Sequence, residues 1–133
     1  MHARVLACFA MTLGCSVGCR ADEAELRACL TAGSTQAQIE CAQLILTRED
    51  GLMNDRFAAV RDGLSAGKLR NELKDAQRQW IQFRDLDCNF ERDREGGGTL
   101  SLLAGKYCLA LHTMRRASDF DPSAAVAKRR GIR

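Results

Sequence analysis

The chain reads as all-α: a small antiparallel bundle of about three main helices behind a short N-terminal helix, stapled by disulfides. Three observations predict this. Apolar residues recur at alternating three- and four-residue steps over two long segments, the spacing of one helix face. Proline occurs once in 133 residues, at Pro122, and aromatics make up only 5% of the chain. Plentiful Ala, Leu, Arg, Glu and Gln favour helices, and few aromatic and β-branched residues argue against a sandwich or barrel. Finally, the seven cysteines split into Cys8, Cys15 and Cys19 near the start and Cys29, Cys41, Cys88 and Cys108 beyond. The length suits one domain, and 46% hydrophobic with 28% charged residues fits neither a collagen-like nor a disordered chain.

Residues 1–21 have the layout of a signal peptide. Arg4 precedes fourteen apolar or small residues from Val5 to Gly18, and no acidic residue occurs before Asp22. The run is too short for a comfortable membrane span. Cleavage after Ala21 puts Ala21 at −1 and the small Cys19 at −3. The competing reading is a lipoprotein anchored at Cys15 or Cys19, each preceded by Gly, although Thr12 or Ser16 would stand where a lipobox wants Leu. Membrane attachment is expected only in that case. Removing residues 1–21 leaves four cysteines, an even number that reads as two disulfides in an oxidising compartment. Residues 22–127 then hold 14 basic against 17 acidic side chains, followed by Lys128, Arg129, Arg130 and Arg133 in a basic tail.

In the mature domain, Asp22 to Leu30 suits a short helix stopped by Gly33. Thr35 with Gln38 forms a capping-box pattern that opens the first long helix. Its stripe is Ile39, Ala42, Leu46, Met53, Phe57, Val60 and Leu64, with Asp50 at the one missing step and Gly51 a possible bend. After a break at 65–67 a second stripe runs Leu69, Leu73, Ala76, Trp80, Phe83, Asp87 and Phe90. The two segments are expected to pack as long antiparallel helices at a shallow angle. Glu95 to Gly98 ends the second. Thr99 can cap a third helix carrying Leu100, Leu103, Tyr107, Leu111 and Met114 as far as Phe120. Residues 22–120 form the domain and 121–133 a flexible basic tail.

Helix geometry bears on the cysteines. Cys88 lies nine residues before Gly97 and Cys108 eleven after it, a height difference of roughly 3 Å across a hairpin. A Cys88–Cys108 bridge is therefore plausible and would leave Cys29–Cys41; the other two connectivities stay open.

Asp50 and Asp87 stand where the stripes call for apolar residues, and a buried carboxylate needs partners. Asp50 is seventeen residues before Gly67 and Arg84 seventeen after it. We therefore expect an interhelical polar cluster of Asp50, Asn54, Gln77 and Arg84, joined by Asp87, that fixes helix register. Catalytic provision is thin. His112 is the one histidine beyond the leader, so a nucleophile–base site would rest on it alone. Cys108 and His112 share a helix face, yet the close-spaced pair that usually accompanies such a zinc ligand set is missing. No catalytic residue, metal or cofactor is expected. Gly96, Gly97 and Gly98 match no phosphate-binding motif. With Arg92, Arg94 and Glu95 they form a candidate partner-binding loop. Aromatics are too few for nucleic-acid stacking.

These residues resemble a known family. Cys29, eleven residues, Cys41, then Asp50-x-x-Met53-Asn54-x-x-Phe57 is similar to its C…C…D-x-x-L-N-x-x-Y pattern. The block Leu73-x-x-Ala76-Gln77-Arg78-x-Trp80-Ile81-x-Phe83-Arg84-Asp85-x-x-Cys88 is close to L-x-x-A-Q-R-x-W-x-x-[YF]-R-D-x-x-C. Gly97, Cys108 and Thr113-x-x-Arg116 match its end. Over about residues 29–120 the chain resembles the LprI-type lysozyme-inhibitor-like domains. Met53 replaces Leu and Phe57 replaces Tyr, which removes one hydroxyl. The resemblance implies a small helical, cysteine-containing, exported domain, periplasmic or secreted. It further implies a protein that binds and inhibits a lysozyme-type peptidoglycan hydrolase by occluding its cleft. The alternative is an envelope interaction or stress module with no hydrolase target.

Overall fold

The computed structural model describes residues 18–123, so most of the expected leader and of the basic tail lies outside the described residues. Four helices follow one another with no strand among the described residues: α1 Gly18–Cys29, α2 Thr35–Gly63, α3 Gly67–Arg94 and α4 Gly98–Asp119. Helix α1 begins upstream of Ala21, so cleavage there would leave its Asp22–Cys29 portion. Among the described residues no helix is long and apolar enough to cross a membrane.

The caps refine the expected boundaries. Ser34, one residue before the anticipated cap, accepts from the Ala37 amide at 3.2 Å and opens α2. Gln38 turns the other way: its Nε2 donates to the carbonyls of Leu30 and Ala32, both at 3.0 Å, closing the end that Gly33 was expected to close. Helix α4 starts one residue before Thr99, behind Gly97, with no side-chain cap. That turn uses Gly96, Gly97 and Gly98 at φ 74°, 104° and 73°. Only glycine takes three such values in succession without strain.

Helix α4 is the centre of the bundle, lying against α1, α2 and α3, whereas α2 and α3 barely meet. This corrects the expected pairing of the two longest helices. They do run antiparallel, but α4 intervenes, because it buries residues on two sides and carries small ones where neighbours approach. Ala110 and Ala117, fully covered, receive α2. At Gly105 a Cβ would come within 3.3 Å of the Arg92 Cβ, so that glycine sets how closely α3 can lie. The core has two parts. One gathers Leu26, Cys29, Ala42, Ile45, Ala110 and Met114. The other gathers Met53, Ala117 and Phe120 beneath Phe57, Val60, Leu73 and Trp80. Each fully buried large aliphatic side chain contributes about 1.5–3 kcal/mol.

Two disulfides, Cys29–Cys41 and Cys88–Cys108, tie α1 to α2 and α3 to α4. The second fixes the rotation of α3 about its axis. At about 100° per residue, Phe83, Leu86 and Phe90 point roughly 140–160° away from Cys88. The apolar residues in the second half of the expected α3 stripe, Phe83 and Phe90, are accordingly on the outside at 56% and 62% exposed, with Leu86 beside them at 72%. Only Leu73 and Trp80, nearer the α2–α3 turn, pack onto the core.

Candidate functional site

The seam where α3 meets α4 is polar and is built from the residues of the sequence motif. Gln77 is buried; its Oε1 accepts from Arg116 Nε at 2.9 Å and its Nε2 lies 3.5 Å from Met53 Sδ. Two guanidinium groups approach the Trp80 ring, Arg84 at 5.2 Å and Arg116 at 5.6 Å from its centre. Desolvated cations over an indole face are attracted to its negative potential. Arg84 also donates to Thr113 Oγ1 at 3.2 Å and pairs with Asp85 at 2.8 Å. Cys88–Cys108 closes the same seam. Gln77, Trp80, Arg84, Cys88, Thr113 and Arg116 thus clamp two helices, and their chemistry is consumed by one another.

The expected cluster of Asp50, Asn54, Gln77 and Arg84 is divided. Asn54 donates to Asp50 at 3.3 Å, and Asp50 approaches Arg84 at 3.9 Å, but Gln77 belongs with Arg116 instead. Asp50 is half exposed. The buried carboxylate of α2 is its neighbour Glu49, 2% exposed, which accepts from Arg48 at 2.9 Å. Arg48 also grips both oxygens of Glu25 at 3.0 and 2.8 Å, joining α1 to α2. That pairing holds the Glu25 carboxyl below its usual range and raises the Arg48 guanidinium. Asp87 is elsewhere again, receiving His112 Nε2 at 2.9 Å, with the Phe83 ring edge-on to the imidazole at 5.7 Å.

Because α3 touches α4 along one narrow seam, a groove opens on each side of it. On one side the walls, all from α3 and α4, are polar, with Arg84, Asp85, Asn89, Arg92 and Lys106 beside Leu102 and Leu109. On the other side a groove of about 490 Å³, between α3 and α4 and bordered by the turn after α1, has an apolar floor of Leu30, Leu100, Leu103, Ala104, Tyr107 and Leu111. Its α3 edge carries Asp87, Glu91, Arg94 and Glu95. The candidate loop residues therefore separate. Arg94 and Glu95 face this apolar groove, while Arg92 lies on the opposite side, its stem over Gly105. Both arginines already have carboxylate partners: Arg92 pairs with Asp93 at 2.9 Å and Arg94 with Glu91 at 2.6 Å. Such exposed pairs are weak and can exchange for an external anion.

Reactive chemistry is limited here. The donor atoms of Cys88, Cys108 and His112 lie within 4.8 Å of one another, but the two sulfurs are bonded together, so neither supplies the thiolate a zinc site requires. The groove was not foreseen from the sequence. Its one advance signal was that Cys88 facing α4 turns Phe83 and Phe90 outward.

The family model described as Lysozyme inhibitor LprI matches residues 20–120. Searches of the curated proteins and of the solved structures find no match.

Proposed function

The chain belongs to the LprI lysozyme inhibitor family, and from that premise we propose that it binds a lysozyme-type peptidoglycan hydrolase and inhibits it by occluding its cleft. The match over residues 20–120 carries this reading, and it spans the four described helices. The protein would act by binding, not by turnover. Its two disulfides fit an extracytoplasmic compartment. We place it in the periplasm or outside the cell, delivered by the leader over 1–21.

The end of the bundle formed by the α3–α4 turn is the part we assign to the cleft. Ala42 of α2 packs with Ala110 of α4. Counting back along these parallel helices, Thr35 lies level with Leu103, and α4 continues five residues further to Gly98, about 8 Å at helical rise. A narrow two-helix tip of this kind can enter a groove that a flat bundle face cannot. There Arg94 would exchange Glu91 for an acidic group of the hydrolase.

The test is a lysis assay with the exported, oxidised chain titrated against a c-type lysozyme at low and moderate salt, with a pull-down alongside. Dose-dependent inhibition near one-to-one, with capture, is the expected result. No inhibition and no capture from a folded, fully oxidised sample would remove that enzyme as target and favour the envelope-module reading.

A further inference from the structure

Resting on the inhibitor reading, we infer that the apolar groove between α3 and α4, beside Leu30, is the affinity-determining contact, and that it takes an apolar side chain flanked by basic residues of the hydrolase. The groove's volume of about 490 Å³ falls within the ~300–1,000 Å³ range typical of binding pockets. Its floor is made of aliphatic groups and one tyrosine ring. Leu30 and Leu100 there are 44% and 59% exposed, so apolar surface is left in water that a partner could cover.

Charge selects the partner. The edge holds three carboxylates, Asp87, Glu91 and Glu95, against the single guanidinium of Arg94. Glu91 is paired with Arg94, and Asp87 faces His112, which leaves Glu95 with no ion-pair partner among the described residues. An apolar floor beneath a net-negative edge disfavours an anionic lipid or a polyanion. It suits a cationic protein, and a hydrolase that works on an anionic wall polymer has such a surface. Opposed charges of this sort chiefly raise the rate of encounter, and the apolar anchor slows dissociation.

The groove is also held open before any partner arrives. Cys108 lines it and is bonded to Cys88, so the α3 wall cannot roll inward to cover the floor. A preformed site spends little binding energy on ordering itself.

The experiment measures binding and inhibition of a c-type lysozyme by the oxidised full chain and three variants: Leu100→Glu, Glu95→Lys and Leu44→Glu. Leu44 is more open to solvent than Leu100 and lies on α2, outside both grooves. Circular dichroism and free-thiol titration establish that each variant is folded and oxidised. Leu100→Glu should weaken binding about tenfold or more, mainly through faster dissociation. Glu95→Lys should slow association and flatten its salt dependence, and Leu44→Glu should stay within about twofold of the parent. If the parent inhibits while Leu100→Glu and Leu44→Glu behave alike, the groove assignment is overturned and the inhibitor reading stands. If the parent is a dimer that Leu100→Glu makes monomeric, the occupant is a second copy and the assignment to the hydrolase is wrong. If the folded parent neither binds nor inhibits, both readings fall together.

Discussion

Removing the Cys88–Cys108 bridge is the sharpest perturbation of this fold, because the bond does two things at once. It closes a separation of 20 residues, for which the chain-entropy relation gives about 3.3 kcal/mol at 25 °C. The Cys29–Cys41 bridge closes 12 residues, worth about 2.8 kcal/mol by the same relation. Stability alone therefore hardly separates them. The distinction lies in what each holds in place. Without Cys88–Cys108, α3 is free to roll and bury Phe83, Leu86 and Phe90, each worth about 1.5–3 kcal/mol if fully covered. That roll would break the contacts around Trp80, whose ring is approached by Arg84 and Arg116. Urea unfolding followed by circular dichroism, with tryptophan emission recorded in parallel, compares Cys88→Ala/Cys108→Ala with Cys29→Ala/Cys41→Ala. Both should lose about 3 kcal/mol, and only the first should change the native emission of Trp80. A loss below about 1 kcal/mol with unchanged emission would refute the argument. The Gln77–Arg116 and Arg84–Thr113 bonds would then be what orients α3.

Three further outcomes follow from particular contacts. Met114 is 1% exposed in the larger core cluster, so Met114→Ala should cost about 2–5 kcal/mol in urea unfolding. Gly97 has φ 104° with open space where a Cβ would stand. Gly97→Ala should therefore cost about 1–3 kcal/mol from backbone strain alone, a loss that urea unfolding would register. Glu25 has a carboxyl held low by Arg48. The stability from a depressed carboxylate is present above its unfolded pKa and lost as pH falls through the folded value. The pair is half exposed, so screening limits it to less than about 1 kcal/mol. The difference between the parent and Glu25→Gln should be measurable at neutral pH and vanish under strongly acidic conditions.

The spans of α2, α3 and α4 were legible because a 3.6-residue period leaves a long, redundant trace in the sequence. Single positions were less so. A core seam through Ala42, Ile45, Glu49 and Met53 and a stripe through Ala42, Leu46, Asp50 and Met53 are both regular helical spacings, one residue apart, and the sequence offers nothing to choose between them. The structure takes the first, and the buried acid is Glu49. On α3 the choice was available. Placing Cys88 against α4 is incompatible with burying Phe83 and Phe90, since helix geometry puts them on nearly opposite sides. The covalent constraint outweighs the apolar pattern because a bond between buried sulfurs leaves the helix no rotational freedom.

By itself the sequence determined the helical class, the four cysteines between residues 22 and 120, and the motif that marks the family. Those follow from local periodicity, counting and residue identity. Tertiary structure decided that α4, not α3, occupies the centre, since that depends on which helix presents small residues on two sides. It also decided that the motif's Gln77, Trp80, Arg84 and Arg116 engage one another across the α3–α4 seam. The apolar groove between α3 and α4 exists only in three dimensions. Its floor comes from α4 and from Leu30 just beyond α1, its charged edge from the end of α3 and the turn beyond it, and a disulfide holds α3 and α4 in place.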